Sequence, residues 1–155
     1  MNQIDAHTGI EWIEVRRCLQ LLETREVGRI GFVLGGAPEI LPVNYLLDGE
    51  DIVFATAPGS KLRGASGAPV VFEVDDTDQA TRSGWSVVVH GTAAEVTSFD
   101  PPALVSRVRA LPLRPWATGD KPHLIRIRTK SITGRRIAPR PVQADQAAPA
   151  EFWLG

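Results

Sequence analysis

The residues best suited to chemistry follow the segment Phe-Ala-Thr-Ala-Pro-Gly at residues 54–59, where Ser60 and Lys61 come next. The proline and glycine end an apolar run, and Ser60 and Lys61 then open a short helix. Unpaired N–H groups at a helix start attract anions, and the hydroxyl and ammonium groups add two donors. The arrangement predicts a phosphate site, although it is not a Walker loop. An ordinary serine-capped helix is the alternative.

The other reactive side chains are few and scattered. His7, His90 and His123 do not stand at ligand spacing from one another or from other ligand types, so we expect no metal site. Cys18, the one cysteine of the chain, excludes an intrachain disulfide and a cysteine-built metal centre, and we expect it in the core. The sequence also lacks the Gly-x-Ser-x-Gly motif of serine hydrolases.

The elements that must position these groups are mostly strands. Residues 11–25 have apolar side chains at helical spacing, which predicts an amphipathic helix. Apolar runs between glycine and proline turns predict six strands, at residues 29–34, 39–47, 52–56, 70–74, 85–96 and 124–129. A glycine at position 91 predicts a bend or bulge in the fifth strand. A helix from the prolines at 101–102 to residue 111, and a loop over 111–122, precede the last strand.

Strands this short and numerous need to close on themselves, because open edges would be exposed, so we predict a small barrel. The 155 residues suffice for one domain, which we assign to residues 1–137, with residues 138–155 as a tail. The net charge of -1, from 17 basic and 18 acidic residues, argues against a nucleic-acid partner. No export signal or membrane span is recognised, and the single cysteine suits a reducing compartment, so we expect the cytoplasm.

Four segments together are more informative than any one of them. They read Val-Gly-Arg-Ile-Gly-Phe at 27–32, Leu-Pro-Val-Asn-Tyr at 41–45, Phe-Ala-Thr-Ala-Pro-Gly-Ser-Lys at 54–61 and Gly-Trp-Ser-Val-Val-Val-His-Gly at 84–91. In this order and spacing they resemble the pyridoxamine 5'-phosphate oxidase-like family of flavin-binding split β-barrels, over roughly residues 11–137. The resemblance implies a mainly β, six-stranded split barrel of the FMN-binding type. It also implies a homodimer with two cofactor sites in the interface, each built from both chains.

The resemblance implies cofactor contacts on the second and third strands. Val43, Asn44 and Tyr45 would lie along the flavin ring, and Thr56 would contact the ring or the ribityl chain. Asn44 stands in an otherwise apolar run, and a buried amide is costly unless its polar atoms find partners, which a flavin edge would supply. A hydrogen bond from Asn44 to a neighbouring loop is the alternative.

The resemblance also implies that Ser60 and Lys61 bind the phosphate and that Trp85 and Ser86 reach the cofactor from the partner chain. Trp85 is equally suited to the core or to a dimer interface. Oxidases of the family have an Arg-Gln pair where Trp85 and Ser86 stand. They also have an arginine at the entry of the second strand and an Arg-x-His motif near the C-terminus, and this chain has neither. Oxidation of pyridoxamine phosphate is therefore not expected.

The function implied is that of a flavin-dependent oxidoreductase that transfers a hydride to or from a small organic substrate. The cofactor would be FMN, or alternatively the 8-hydroxy-5-deazaflavin coenzyme, and it would supply the reactivity, so no catalytic side chain is assigned. A non-catalytic carrier of flavin, deazaflavin or haem on the same barrel is the alternative from another class. Membrane and nucleic-acid partners are not expected.

A further pattern concerns the basic residues near the end of the domain. Alternation on the last strand predicts one face that carries Arg126, Arg128 and Lys130, and three more arginines follow, at positions 135, 136 and 140. Such a face would suit an anionic ligand tail or nucleic-acid phosphates, and a solvated outer face is the alternative. Because no aromatic residue lies between Arg126 and Arg140, binding of single-stranded nucleic acid is the least favoured interpretation.

Overall fold

The structure, a computed structural model, describes residues 8–59, 62 and 67–139. Their regular elements are two helices and seven strands. The helices are α1 (Val15–Leu22) and α2 (Pro102–Arg109). The strands are β1 (Ile10–Ile13), β2 (Val27–Leu34), β3 (Ala37–Asp48), β4 (Asp51–Thr56), β5 (Pro69–Asp78), β6 (Ser83–Glu95) and β7 (His123–Ile137).

Six of the strands close into a barrel. The sheet order is β1-β7-β4-β3-β2-β5-β6, and β6 also pairs with β7, so the strands β2 to β7 form a ring in which every pairing is antiparallel. The 15-residue β7 is shared, because its first part lies between β4 and β6 and its last four residues lie between β1 and β6. The prediction of a mainly β barrel is confirmed.

Strand alternation fills the barrel, because every second side chain points inward. In β2, for example, Ile30 and Phe32 are buried and Arg29 is exposed. The remaining large side chains of the core are contributed by the other ring strands: Tyr45, Ile52, Phe54, Val70, Phe72, Val74, Val87, Val89, Ile125 and Ile127. Helix α1 packs on this core and buries Cys18, as expected from the sequence.

The N-terminal segment differs from the prediction of one helix over residues 11–25. The structure has strand β1 at Ile10–Ile13 before the shorter helix α1, so the described sheet has seven strands and not six. Residues Ile10 and Ile13 pair with Ile137 and Gly134 of β7. Beyond the reach of β4, this edge of β7 offers unpaired N–H and C=O groups, and a strand can satisfy them where a helix cannot. Helical spacing does not reveal such a distant edge.

The pairing of the fifth predicted strand, β6, is irregular at its glycine, as the sequence indicated. The register between β6 and β7 shifts between His90, which pairs with Ser131, and Gly91, which pairs with Thr129, so Lys130 is the extra residue of a bulge. A Cβ atom at Gly91 would lie 2.4 Å from the carbonyl oxygen of Arg128, so only glycine allows this close approach. The predicted irregularity at Gly91 is confirmed, although the extra residue lies on β7 and not on the strand that contains the glycine. The helix after residue 100 and the loop over 111–122 are also present.

Candidate functional site

The side chains of Val43 and Tyr45 point into the barrel. Tyr45 is buried, its ring meets that of Phe72 edge-on at 4.9 Å, and its hydroxyl donates to the carbonyl oxygen of Leu22. Burial also raises the pKa of the Tyr45 phenol. Val43 packs against the same core. The position of Val43, Asn44 and Tyr45 along a flavin ring stays a prediction, and Tyr45 would make such a contact through its main chain.

Asn44 has the opposite orientation and joins two loops. Its Nδ2 donates to the carbonyl oxygen of Glu26 at 3.2 Å, and its Oδ1 accepts the main-chain N–H of Trp116 at 2.8 Å. The Trp116 indole in turn donates to a carboxylate oxygen of Glu26 at 3.2 Å, and the residue remains 69% exposed. The loop contact named as an alternative for Asn44 is therefore present. An amide has two donor hydrogens and two acceptor lone pairs, so one of each remains for a ligand.

Thr56 ends β4 with a buried hydroxyl. The residue is 6% exposed, and its Oγ1 has no hydrogen-bond partner among the described residues. A buried hydroxyl without a partner costs free energy, so such an atom in a folded protein calls for an explanation. A polar ligand atom at the end of β4 would supply the missing partner.

The predicted phosphate site lies in the residues that follow Thr56. Gly59 has the left-handed φ of +75°, which glycine adopts without strain and which ends the strand in a turn. Ser60 and Lys61 lie outside the described residues, so the phosphate site stays a prediction. Leu62, directly after them, is buried in the core.

Trp85 and Ser86 lie on β6, on the far side of two strands from Asn44. Trp85 packs partly against the core and lies 5.9 Å from the guanidinium carbon of Arg25, at cation–π distance. Ser86 stands opposite Asp75 of β5 and Arg135 of β7. Along the sheet, the strands β2 and β5 lie between β3 and β6. Asn44 and Ser86 therefore stand on strands that do not pair with each other.

A groove beside Ser86 is a feature that the sequence did not indicate. It has a volume of about 320 Å³ and is lined by residues of β1, β5, β6 and β7 and of the turn before β6: Ile10, Asp75, Thr77, Arg82, Ser83, Gly84, Trp85, Ser86, Arg135, Arg136 and Ile137. The pairing registers of these four strands bring the residues together. The pairing between distant strands cannot be deduced from any short segment of the sequence. The groove could therefore not have been predicted from local sequence patterns.

Comparison with known proteins decides the family. Residues 14–136 match the family model described as pyridoxamine 5'-phosphate oxidase. The chain belongs to this family. It is also 34% identical over 135 residues to an uncharacterized protein of Mycobacterium tuberculosis, with 82% of this chain and 86% of the relative covered.

Solved structures agree with the family assignment. The FAD binding protein from Mycobacterium smegmatis is 33% identical and has a TM-score of 0.70, with 82% of this chain and 99% of that chain covered. A conserved protein of unknown function from Corynebacterium diphtheriae is 28% identical, also with a TM-score of 0.70, over 84% of this chain and 99% of that chain. The resemblance inferred from the four sequence segments is confirmed at the level of the pyridoxamine 5'-phosphate oxidase-like family.

The basic face predicted on β7 is interrupted by ion pairs at two of its positions. Arg126 is ion-paired with Asp51, and Arg136 with Glu11 at 2.6 Å. Arg140 lies outside the described residues. The strand therefore does not present a continuous row of free cations, which favours the solvated-face interpretation over an extended anion groove along β7.

Two further observations concern metal binding and membrane-spanning helices. Within residues 8–59, 62 and 67–139, no three His, Cys, Asp or Glu side chains are grouped closely enough to hold a metal ion. Among the helices of that same part of the chain, none is long and apolar enough to cross a membrane.

Proposed function

We propose that the protein binds a flavin nucleotide at the interface of a homodimer. In this proposal it acts as an oxidoreductase that exchanges a hydride with a small organic substrate. Support comes from membership of the pyridoxamine 5'-phosphate oxidase family and from the similarity to the FAD binding protein, which extends over 82% of this chain. The four sequence segments that resemble the flavin-binding members supply the residues of the site.

The observation that carries the proposal is the unpaired hydroxyl of Thr56. It is buried, it lacks a partner in the described structure, and it lies at the end of the strand that leads to Ser60 and Lys61. Polar oxygens and nitrogens along a flavin nucleotide would satisfy it, which is the fit expected of a residue that contacts the ring or the ribityl chain. The residues present are therefore compatible with a flavin.

Asn44, on the outward face of the neighbouring strand, is the second polar group that the proposal assigns to the flavin. Its amide is held by Glu26 on one side and by Trp116 on the other, so its orientation is set before any ligand binds. The remaining N–H and lone pair can then meet a polar ring edge with little loss of side-chain entropy. When bound, the flavin supplies the hydride chemistry, and the protein binds it, orients the substrate and excludes water.

A homodimer is supported by the outer face of β3, β2 and β5. Ile40 is 70% exposed and stands beside Gly31, which in turn stands beside the exposed Val71. Val33, two residues further along β2, is also exposed. This flat apolar row is unfavourable in water, and a second copy of the chain would bury it. The proposed dimer would also let β6 of one chain reach β3 of the other.

The first experiment is the visible absorption spectrum of the purified protein, followed by gel filtration after addition of FMN, FAD or the deazaflavin coenzyme in separate samples. Flavin bands that elute with the protein are expected. Lys61→Ala should lower the affinity for FMN, because a charge-assisted phosphate contact contributes on the order of 1.5–3 kcal/mol. Protein that binds none of the three cofactors would overturn the proposal.

A non-catalytic flavin carrier is the second candidate. It is favoured by the similarity to a relative from M. smegmatis that is described as an FAD binding protein. The polar side chains of the proposed site, those of Asn44, Thr56 and Ser86, also lack a group that titrates near neutral pH, which suits a carrier and a hydride-transfer enzyme alike. Reduction of the bound flavin by NADPH, followed by reoxidation with a panel of small organic acceptors, separates the two. Tight binding without turnover would identify a carrier.

A further inference from the structure

The groove beside Ser86 has features that the proposed flavin-ring site does not use. Its volume of about 320 Å³ lies at the lower end of the range of small-molecule pockets. Ser86, the predicted cofactor contact of β6, is part of its wall, so the groove is continuous with the place where the flavin is proposed to bind. A ligand in this groove would be a neighbour or an extension of the flavin.

Two guanidinium groups in the groove are without ionic partners. Arg82 and Arg135 both line it, and neither is paired with a carboxylate of the described residues. Asp75 is the one acidic residue among the described residues that line the groove, and it shares the Arg29 guanidinium, 3.1 Å away, with Glu73. The groove is thus left with positive charge that an anion would neutralise. Five other arginines of the described chain each lie against a carboxylate: Arg25, Arg29, Arg107, Arg126 and Arg136.

Beside these cations the groove has an apolar wall. Ile10, Ile137 and Trp85 line it, and Gly84 adds no side chain between them. Ser83 and Ser86 also line the groove, and the Ser83 hydroxyl is hydrogen-bonded to that of Thr81. A bare inorganic anion would leave the apolar surface unused. A ligand that combines a phosphate group with a flat, mostly apolar ring would use both parts.

The turn that carries Arg82 is held in place. The Asp78 carboxylate accepts hydrogen bonds from the N–H groups of Ala80 at 2.9 Å and Thr81 at 3.3 Å, and the Thr81 and Ser83 hydroxyls are 2.7 Å apart. Arg82 itself has the left-handed φ of +49°, which costs free energy in a residue with a side chain. Residues in strained backbone conformations cluster at active sites and ligand sites.

We propose that this groove binds an adenosine diphosphate group beside the flavin. Arg82 and Arg135 would pair with the phosphates, and the apolar wall would take the adenine. Two ligands contain this group: FAD, as its own second half, and a nicotinamide dinucleotide, as the reductant. The inference rests on the proposed flavin site, because the adenosine diphosphate would belong to the flavin or to its reductant. Binding of ADP by the groove can nevertheless be measured without any flavin.

The test uses the full chain and four variants, Arg82→Ala, Arg135→Ala, the double variant and Arg16→Ala. Arg16 is an exposed arginine of α1 outside the groove and serves as the matched control. Binding of ADP, FMN and FAD is measured by calorimetry. We expect each groove variant to lower the affinity for ADP roughly ten-fold, because a charged contact is lost, with FMN affinity and the Arg16→Ala variant unchanged. All four variants should keep the circular dichroism spectrum of the parent.

Two arms identify the source of the adenosine diphosphate. If it belongs to FAD, FAD binds more tightly than FMN, and the groove variants remove that advantage. If it belongs to the reductant, FAD and FMN bind equally, and NADPH binds to the FMN-loaded protein with the same dependence on Arg82 and Arg135. ADP that does not bind, or binds equally to all variants, overturns the proposal. Variant-dependent ADP binding without flavin binding would instead overturn the proposed flavin site and retain the groove.

Discussion

The main-chain N–H of Trp116 donates a 2.8 Å hydrogen bond to Oδ1 of Asn44, 72 residues earlier in the chain. The same Asn44 amide donates to Glu26, so one side chain fixes both the entry of β2 and the long loop before β7. Trp116 is thereby held with its indole exposed beside the strand segment proposed to lie along the flavin ring. Asn44 is a positioning residue in this arrangement as well as a proposed cofactor contact.

Substitution of Asn44 with leucine should release the loop. We expect the Trp116 amide to exchange its hydrogen faster, and the free energy of unfolding to fall by about 1 kcal/mol, because two hydrogen bonds are lost. Hydrogen exchange measured by NMR reports the amide, and urea unfolding reports the stability. Trp116→Phe is the control, since it removes the indole but keeps the main-chain bond. Unchanged exchange in the leucine variant would show that Asn44 does not hold the loop.

Thr56→Val should have opposite effects on the stability of the protein and on its affinity for flavin. The valine has the same shape without the unpaired hydroxyl, so we expect the protein without flavin to be more stable by about 1 kcal/mol. FMN affinity should fall by roughly ten-fold, because the ligand loses its partner. Thr129→Val is the matched control, since that hydroxyl donates to the carbonyl oxygen of Glu50 at 2.6 Å and its loss should destabilise. Thermal unfolding with and without FMN measures both effects. A less stable Thr56→Val protein would contradict this account.

Gly28→Ala should be strongly destabilising. A Cβ atom at Gly28 would lie 2.2 Å from the ring of Phe72 in the core, so the strand and the ring cannot both keep their places. We expect a loss of about 2 kcal/mol in the free energy of unfolding, which is typical of an overpacked core. Phe72→Leu in the same chain should recover part of this loss, and a double-mutant cycle measures the coupling. Additive effects would show that the ring is not the obstacle.

Ile40→Lys should convert the proposed dimer to a monomer. The substitution places a charge in the middle of the apolar row on β3, β2 and β5, and burying an unpaired charge is costly. Sedimentation velocity measures the assembly state. Phe99→Lys provides the control, because Phe99 is 98% exposed and lies in the segment after β6, outside this row. A dimer that persists in the Ile40→Lys variant would place the interface elsewhere.

Stability should depend on the ionisation of Asp48 in acid. Its side chain is only 8% exposed, and the Arg107 guanidinium, 2.6 Å from Oδ1, holds the pKa of this carboxyl below its ordinary value. A lowered pKa in the folded state contributes stability above the unfolded value of about 4, and that contribution is lost as the pH falls through the lowered value. Asp48→Asn should therefore be less stable than the parent at about pH 6, with a smaller difference at about pH 3. Urea unfolding at both pH values provides the measurement. A difference that does not shrink in acid would contradict the role of the ion pair.

The sequence by itself determined the barrel and the family. Strand periodicity and glycine or proline turns act over a few residues, so the six ring strands, the Gly91 bulge and helix α2 could be predicted locally. Four short segments in register were enough for the pyridoxamine 5'-phosphate oxidase-like family. The position of Thr56 at a strand end was also predictable, since it depends only on the turn that follows.

Only the tertiary structure decided which strand neighbours and which loops complete the site. Residues 10–13 form a strand because the far end of β7 has an open edge, and no local pattern within residues 11–25 reveals that edge. The link from Trp116 to Asn44, the inward position of Tyr45 and the groove around Arg82 and Arg135 each join segments that are distant in the chain. Long-range register determines such contacts, because a shift of one residue would turn every side chain to the other face of the sheet.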